Sequence, residues 1–193
     1  MLSSTPLTLA ETASVFGEML TFKKMLENAK DQNERKVLLA GKVEDMINTV
    51  IRQIAFYDFE CKLHEARKAG ELTPDDINAL WMSVQGESLG PAFEFMDGYE
   101  TFWAYIPHFV HSPFYVYAYA FGDGLVNALY AVYEAAPDGF QEKYFDMLKA
   151  GGSQHHKDLL APFGLDASDP TFWQQGLSMI SSMIDELEAM ETP

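Results

Sequence analysis

Apolar residues recur every three or four positions along most of the chain, which is the spacing of one buried face of an α-helix. The first such stretch predicts a helix from Thr8 to about Ala29, with apolar positions at Val15, Met19, Phe22 and Leu26. Thr8 is followed three residues later by Glu11, which matches a capping box in which each side chain accepts a hydrogen bond from the other's backbone N–H.

Further helices follow from the same spacing and from the positions of proline and glycine. A long helix is predicted from Asp31 to Ala69, ended by Gly70, and Thr73-Pro74 begins the next. The remaining predicted helices cover residues 99–105, 113–136, 138–151, 153–161 (capped by Ser153) and 169 onwards. The segment "FYVYAYAF" alternates as a strand would, but the helical spacing after it favours a helix. The pattern predicts an all-α, multi-helix bundle that forms a single domain over residues 1–193.

Length and composition are those of a globular protein. The chain has 193 residues, of which 48% are hydrophobic. It has no apolar run long enough to cross a bilayer, and its first residues lack the basic start of a secretory signal. The single cysteine, Cys61, excludes an internal disulfide framework and predicts a reducing, cytoplasmic location.

The formal net charge is −16, from 29 acidic and 13 basic residues. Such a charge repels phosphates, so nucleic acid and anionic membrane surfaces are not expected as partners. The acidic excess serves either solubility or a cleft that attracts cationic peptides or a metal ion, and composition does not separate the two.

Glu11 and Glu18 are the first candidates for chemistry, in the segment "LAETASVFGEML". Glu11 is either a helix-start residue or a metal ligand. Two turns of helix separate the carboxylates by about 10 Å, which is too far for both to bind one ion at metal–oxygen distances of about 2 Å. If Glu11 binds a metal, Glu18 either helps to orient Glu11 without binding the metal or is a solvated surface acid.

His108 and three tyrosines form the second group of candidates. His108 is predicted in a loop just before a helix. Tyr115 and Tyr119 lie one turn apart and share a face, whereas Tyr117 points roughly the opposite way. The aromatic residues are either core or, because phenols and imidazole donate hydrogen bonds, a site that stabilises a developing oxyanion.

Weaker candidates carry no complete motif. Glu60 and His64 have the spacing of helical metal ligands, but such a pair is more often a surface salt bridge. "HEAR" is not HExxH, because Lys68 stands at its fifth position. The chain has no phosphate-binding loop and no paired Glu-x-x-His, and the absence of the latter argues against a dinuclear carboxylate bundle.

Four segments, taken in order, resemble oligoendopeptidase F and the wider thimet-type zinc peptidases. They are "ETASVFGEML" (11–20), residues 49–73, "IPHFVHSPFYVYAYAFG" (106–122) and "KAGGSQHHKDLLAPFGLD" (149–166). The resemblance implies the C-terminal portion of a zincin-type helical peptidase catalytic domain that hydrolyses short peptides. It further implies that Glu11 is the third zinc ligand, supported by Glu18. It implies that His108 and Tyr115 bind substrate or the oxyanion, with Tyr117 and Tyr119 as weaker candidates.

The chain departs from this family pattern because it contains no HExxH motif, which would supply two zinc ligands and the general base. We therefore expect the motif upstream of Met1, in a further part of the same enzyme. The chain alone is expected to hold no zinc stably and to hydrolyse nothing. The alternative is a non-catalytic helical module that binds peptides. An exposed apolar face at Val15, at Met19 and on the predicted helix 113–136, which carries the three tyrosines, would also promote a homo-oligomer.

Overall fold

A computed structural model describes residues 7–136 and 138–191, and side chains for residues 9–136 and 138–190. The described residues form helices, turns and loops without any strand. The all-α class predicted from the apolar spacing is therefore confirmed. Of the alternating segment at 114–121, residues 117–121 are helical and none forms a strand.

The N-terminal helix is divided at Glu11. Helix α1 covers Leu7–Ala10 and helix α2 covers Thr12–Glu27. Glu11 lies between them with ψ near −4°, and it makes no side-chain capping bond to α2. A helix is thus present over the range predicted from Thr8, but it is interrupted by a turn at Glu11 and ends at Glu27 instead of about Ala29. The Thr8 side chain lies outside the described residues, so its predicted capping box with Glu11 stays a prediction.

The long predicted helix is helical from end to end but changes its winding in the middle. Helix α3 (Gln32–Met46) passes through a π-helical segment (Ile47–Ile51) into helix α4 (Arg52–Arg67). Asp31 caps α3 by accepting a hydrogen bond from the Glu34 N–H at 2.8 Å.

Helix α5 (Pro74–Leu89) begins as its sequence predicts. The Thr73 N–H donates to the Asp76 carboxylate at 2.8 Å, and the Asp76 N–H donates to the Thr73 hydroxyl at 3.3 Å. Proline occupies the first turn, where a missing N–H costs nothing.

The middle of the chain is wound less regularly. Short 3₁₀ helices at Gly90–Ala92 and Tyr99–Tyr105 precede helix α6 (His108–His111) and helix α7 (Tyr117–Ala135). His108 is thus the first residue of a short helix and not a loop residue. The helix predicted from Pro113 begins only at Tyr117, for a reason that lies in the conformation of Phe114 described below.

The C-terminal part contains helix α8 (Phe140–Ala150), helix α9 (His156–Leu160), a 3₁₀ helix (Ala161–Phe163) and helix α10 (Pro170–Glu191). Ser153 was predicted to cap α9, and this prediction is wrong. Its hydroxyl donates to the Ala150 carbonyl at 2.7 Å and so closes α8, while His155 occupies the capping position of α9.

The chain divides into two compact units, Met1–Ile47 with Phe121–Pro193, and Asn48–Ala120. In the first, Phe16 packs against a cluster of aromatic rings that includes Tyr130, Phe140 and Tyr144. In the second, fully buried Phe59 and Trp81 form the centre, and the Trp81 indole donates to the Tyr99 carbonyl at 3.0 Å. That residues 1–193 form a single domain stays a prediction.

The apolar patch expected at Val15 and Met19 does not form. Met19 is fully buried and Val15 is half-buried within the first unit. The proposed route to a homo-oligomer therefore has no support from these two residues. None of the described helices combines the length and the apolar character that crossing a bilayer requires.

Candidate functional site

His108, Tyr115 and Tyr119 lie together at the junction between α6 and α7. The His108 ring stacks on Tyr115 at 5.8 Å, and Tyr115 meets Tyr119 edge-on at 5.3 Å. The Tyr119 hydroxyl lies 3.2 Å from His108 Nε2. All three side chains are half-buried. The shared face predicted for Tyr115 and Tyr119 thus brings both tyrosines to the histidine.

Tyr117 lies elsewhere. Its ring packs against Tyr57 of α4, with ring centroids 5.5 Å apart. This agrees with the opposite orientation expected from its position two residues after Tyr115. The structure therefore groups two of the three candidate tyrosines with His108.

The cluster can donate hydrogen bonds. The Tyr119 hydroxyl and His108 Nε2 share one hydrogen bond, whose direction follows the histidine tautomer. Donors fixed by packing in a partly buried site stabilise a developing oxyanion better than mobile donors in water. The arrangement suits substrate binding or oxyanion stabilisation.

The backbone just before this cluster is strained. Phe114 has φ of 59°, and it is the single non-glycine residue with a positive φ among those described. This conformation costs about 1–2 kcal/mol for a residue with a Cβ. The Phe114 N–H donates to the Glu60 carboxylate at 2.9 Å. Because Phe114 is left-handed, a regular helix cannot begin at Pro113, and α7 begins three residues after Phe114.

Glu60 is a residue whose importance the sequence reading missed. It was expected in a surface salt bridge with His64, but it is only 1% exposed. Burial raises the pKa of Glu60, whereas the Phe114 N–H, His64 and His108 act in the opposite direction. The available signal was its position on the apolar side of α4, four residues after Phe56 and three before Leu63.

Glu11, in the first unit, is half-buried at the start of α2. The Ser14 hydroxyl donates to the Glu11 carbonyl at 3.0 Å and lies 3.4 Å from its carboxylate. Gly122 of α7 faces it, since a Cβ at position 122 would lie 3.2 Å from the Glu11 Cβ. Glycine thus allows α7 to pass close to Glu11.

Glu18 is directed towards α3. Its exposed carboxylate forms a short ion pair with Lys42, whose side chain is 6% exposed and also lies 3.6 Å from Asp45. Glu18 was expected to support Glu11, but in the structure its carboxylate pairs with Lys42.

A metal site would need ligands beyond these. Within residues 7–136 and 138–191, no group of three or more His, Cys, Asp or Glu side chains could hold a metal ion. Glu11 supplies one carboxylate, whereas a zinc site in proteins usually has at least three protein ligands. The described residues do not fit a complete zinc site.

The comparison with protein families decides the relationship. The sequence model of Peptidase family M3 matches residues 2–179. The chain belongs to peptidase family M3. This confirms the family predicted from the four segments.

Individual proteins that resemble this chain in sequence and in structure support the family assignment. The chain is 32% identical to plasmid-encoded oligoendopeptidase F of Lactococcus lactis subsp. cremoris over 186 residues, 96% of the chain and 31% of that relative. It is 31% identical to oligopeptidase PepF of Bacillus subtilis (strain 168), covering 94% of the chain and 27% of that relative. The crystal structure of oligoendopeptidase-F from Enterococcus faecium superposes with a TM-score of 0.84 at 27% identity, over 96% of this chain and 36% of that chain. The M3 chain described here thus spans about a third of the length of these relatives.

Replacing Gly122 by alanine is expected to displace Glu11. Alanine favours a helix by about 1 kcal/mol over glycine, but the new methyl group would press on the Glu11 Cβ. Gly17→Ala is the matched control, because a Cβ there meets no atom within 4 Å. Urea denaturation should show Gly122→Ala to be less stable than Gly17→Ala by about 1–2 kcal/mol. Equal stabilities of the two variants would mean that Glu11 leaves enough room for a methyl group at position 122.

Proposed function

We propose that this M3 chain supplies the C-terminal part of the catalytic domain of a zinc-dependent peptidase that hydrolyses short peptides. The observation that carries the proposal is the cluster of His108, Tyr115 and Tyr119 in a chain of this family. The cluster offers fixed hydrogen-bond donors of the kind that peptide hydrolysis requires for its oxyanion. A cytoplasmic location is part of the same proposal.

The proposed roles of the candidate residues are supported to different degrees by their contacts. His108 and Tyr115 are proposed to bind substrate or the oxyanion, and Tyr119 to hold His108 through their 3.2 Å contact. Tyr117 is the weaker candidate because its ring packs against Tyr57. Glu11 is proposed to contribute one zinc ligand. Glu18 is proposed only to support Glu11 without binding the metal, and this is the weaker proposal because its carboxylate pairs with Lys42.

Residues outside this chain must then complete the metal site. The sequence contains no HExxH motif, so the partner of this proposal is an upstream part of the same enzyme that carries the motif. No catalytic step through zinc follows from the residues described.

The alternative is a helical module that binds peptides and does not cleave them. The cluster of His108, Tyr115 and Tyr119 offers hydrogen-bond donors but no general base of the HExxH type, so it suits peptide binding as well as catalysis. The two proposals differ in turnover and not in binding.

A chimera tests the proposal. The segment of L. lactis oligoendopeptidase F that this chain matches would be replaced by residues 1–193, and the chimera would be assayed with a fluorogenic short peptide. Hydrolysis that a chelator abolishes supports the peptidase proposal. A folded chimera that binds the peptide in calorimetry without cleaving it supports the binding module.

The chain by itself is expected to bind less than stoichiometric zinc and to hydrolyse nothing. One carboxylate cannot replace the three protein ligands of a typical zinc site. Metal content after a chelator wash and the same peptide assay would measure this. Stoichiometric zinc in the washed chain would contradict the expectation and would point to a site shared between copies.

A further inference from the structure

We infer that Glu60 is a positioning residue that holds Phe114 in its left-handed conformation and thereby aligns Tyr115 with His108. The inference rests on the proposed function only in assigning His108 and Tyr115 to the reaction. Glu60 acts through the backbone of Phe114, not by touching the substrate.

One face of α4 holds Phe114. Tyr57, Glu60 and His64 are spaced three and four residues apart, so their side chains lie along the same side of the helix. The Phe114 ring contacts Tyr57 at 6.1 Å and His64 at 4.8 Å, between centroids. Glu60 lies between Tyr57 and His64 along α4, and its carboxylate accepts a hydrogen bond from the Phe114 N–H at 2.9 Å.

The conformation of Phe114 decides where Tyr115 points. Helix α6 closes with the Ser112 N–H donating to the His108 carbonyl at 3.0 Å. Two residues later the chain reverses at Phe114, and Tyr115 follows directly. A negative φ at Phe114 would send Tyr115 in a different direction from α6 and so away from the His108 ring.

The hydrogen bond, rather than the charge, is the feature that holds the turn. A carboxyl oxygen accepts the Phe114 N–H whether Glu60 is ionised or protonated. The second carboxyl oxygen is buried and has no hydrogen-bond partner among the described residues. Glutamine at this position keeps the acceptor and nearly the same volume, whereas alanine removes the acceptor.

The experiment compares Glu60→Gln, Glu60→Ala and the double variant Glu60→Ala/Phe114→Gly in the 193-residue chain. Glycine adopts a positive φ without steric cost, so it removes the need for the Glu60 acceptor. Glu65→Gln is the matched control, because Glu65 is exposed on the same helix. Nuclear Overhauser contacts between the His108 and Tyr115 rings report the alignment, and circular dichroism reports folding.

The contacts between His108 and Tyr115 are expected to survive in Glu60→Gln and Glu65→Gln, to disappear in Glu60→Ala, and to return in the double variant. Retention of the contacts in Glu60→Ala would overturn the inference, as would their loss in a folded Glu60→Gln. A loss of folding in Glu60→Ala that Phe114→Gly does not repair would also overturn it, since Glu60 would then be a general core residue.

The same variants in the chimera separate this inference from the proposed function. If both hold, Glu60→Ala lowers kcat about tenfold with little change in KM, because misalignment acts on the reacting geometry. If the ring contacts depend on Glu60 but replacing His108 leaves hydrolysis intact, the positioning role stands and the proposed function of His108 fails.

Discussion

Replacing Glu11 by glutamine in the chimera is expected to remove most of the bound metal and to lower peptide hydrolysis more than about 100-fold. Loss of a group that merely hydrogen-bonds a metal ligand already costs 10- to 100-fold in affinity or activity, and loss of a ligand should cost more. Glutamine keeps the size of Glu11 and its contacts with Ser14 and Gly122, but it lacks the negative charge. Metal content and kcat/KM, measured on the same sample, test both parts of the expectation.

Glu18→Gln is the control for Glu11→Gln. Both residues lie at α2, but the Glu18 carboxylate is exposed and pairs with Lys42. Because glutamine keeps the size of Glu18 and the buried Lys42 ammonium still lies 3.6 Å from Asp45, this variant should keep its metal and most of its activity. A Glu11→Gln chimera with full metal content would make Glu11 a helix-start residue, as the local sequence alone allows.

Features set by neighbours in the sequence were predictable. Thr73, Pro74 and Asp76 fix the start of α5 through hydrogen bonds within four residues, and the structure shows that start. The face shared by Tyr115 and Tyr119 follows from helical spacing alone, and their rings do meet.

Features set by distant residues were not predictable. The start of α7 depends on the conformation of Phe114, whose N–H is bound by a residue 54 positions earlier. Local spacing gives Glu60 the pattern of a pair with His64 and also places it on the apolar side of α4. The packing of Phe114 against α4 decides between the two, and Glu60 is buried. Because a helix begins where its first hydrogen bonds are satisfied, a tertiary contact outweighed the proline signal at position 113.

Asp123 is a second buried acid that the sequence reading did not single out. It lies in α7, is 2% exposed, and accepts a hydrogen bond from the Asn127 side chain at 2.9 Å. Burial raises the pKa of Asp123 to about 6. Lys42 and the bond from Asn127 favour its charged form, whereas Asp45 and Glu18 disfavour it.

The raised pKa of Asp123 makes stability fall as the pH rises. In the unfolded chain this carboxyl titrates near its ordinary value of 3.8, so between about pH 4 and pH 6 the folded state binds the proton more tightly. The stabilisation is complete below the unfolded pKa and is lost as the pH rises through the folded pKa. The difference between the two pKa values corresponds to about 3 kcal/mol.

Asp123→Asn is expected to become more stable relative to the parent chain as the pH rises. Asparagine has nearly the same shape, still offers an oxygen to Asn127, and has no charge to bury. The gain in the free energy of unfolding of the variant over the parent should grow by about 3 kcal/mol between about pH 4 and pH 7 and then level off. Urea denaturation followed by circular dichroism at several pH values measures it.

Asp185→Asn separates burial from the simple loss of an acid. Asp185 is exposed on α10 in the same unit as Asp123, so the same chemical change there removes an equal charge from a chain with a formal net charge of −16. The relative stability of this control should change less with pH than that of Asp123→Asn, because the side chain at position 185 is exposed and not buried. If both variants gained equally with pH, the gain would come from relief of the overall negative charge, and the buried position of Asp123 would not be its cause.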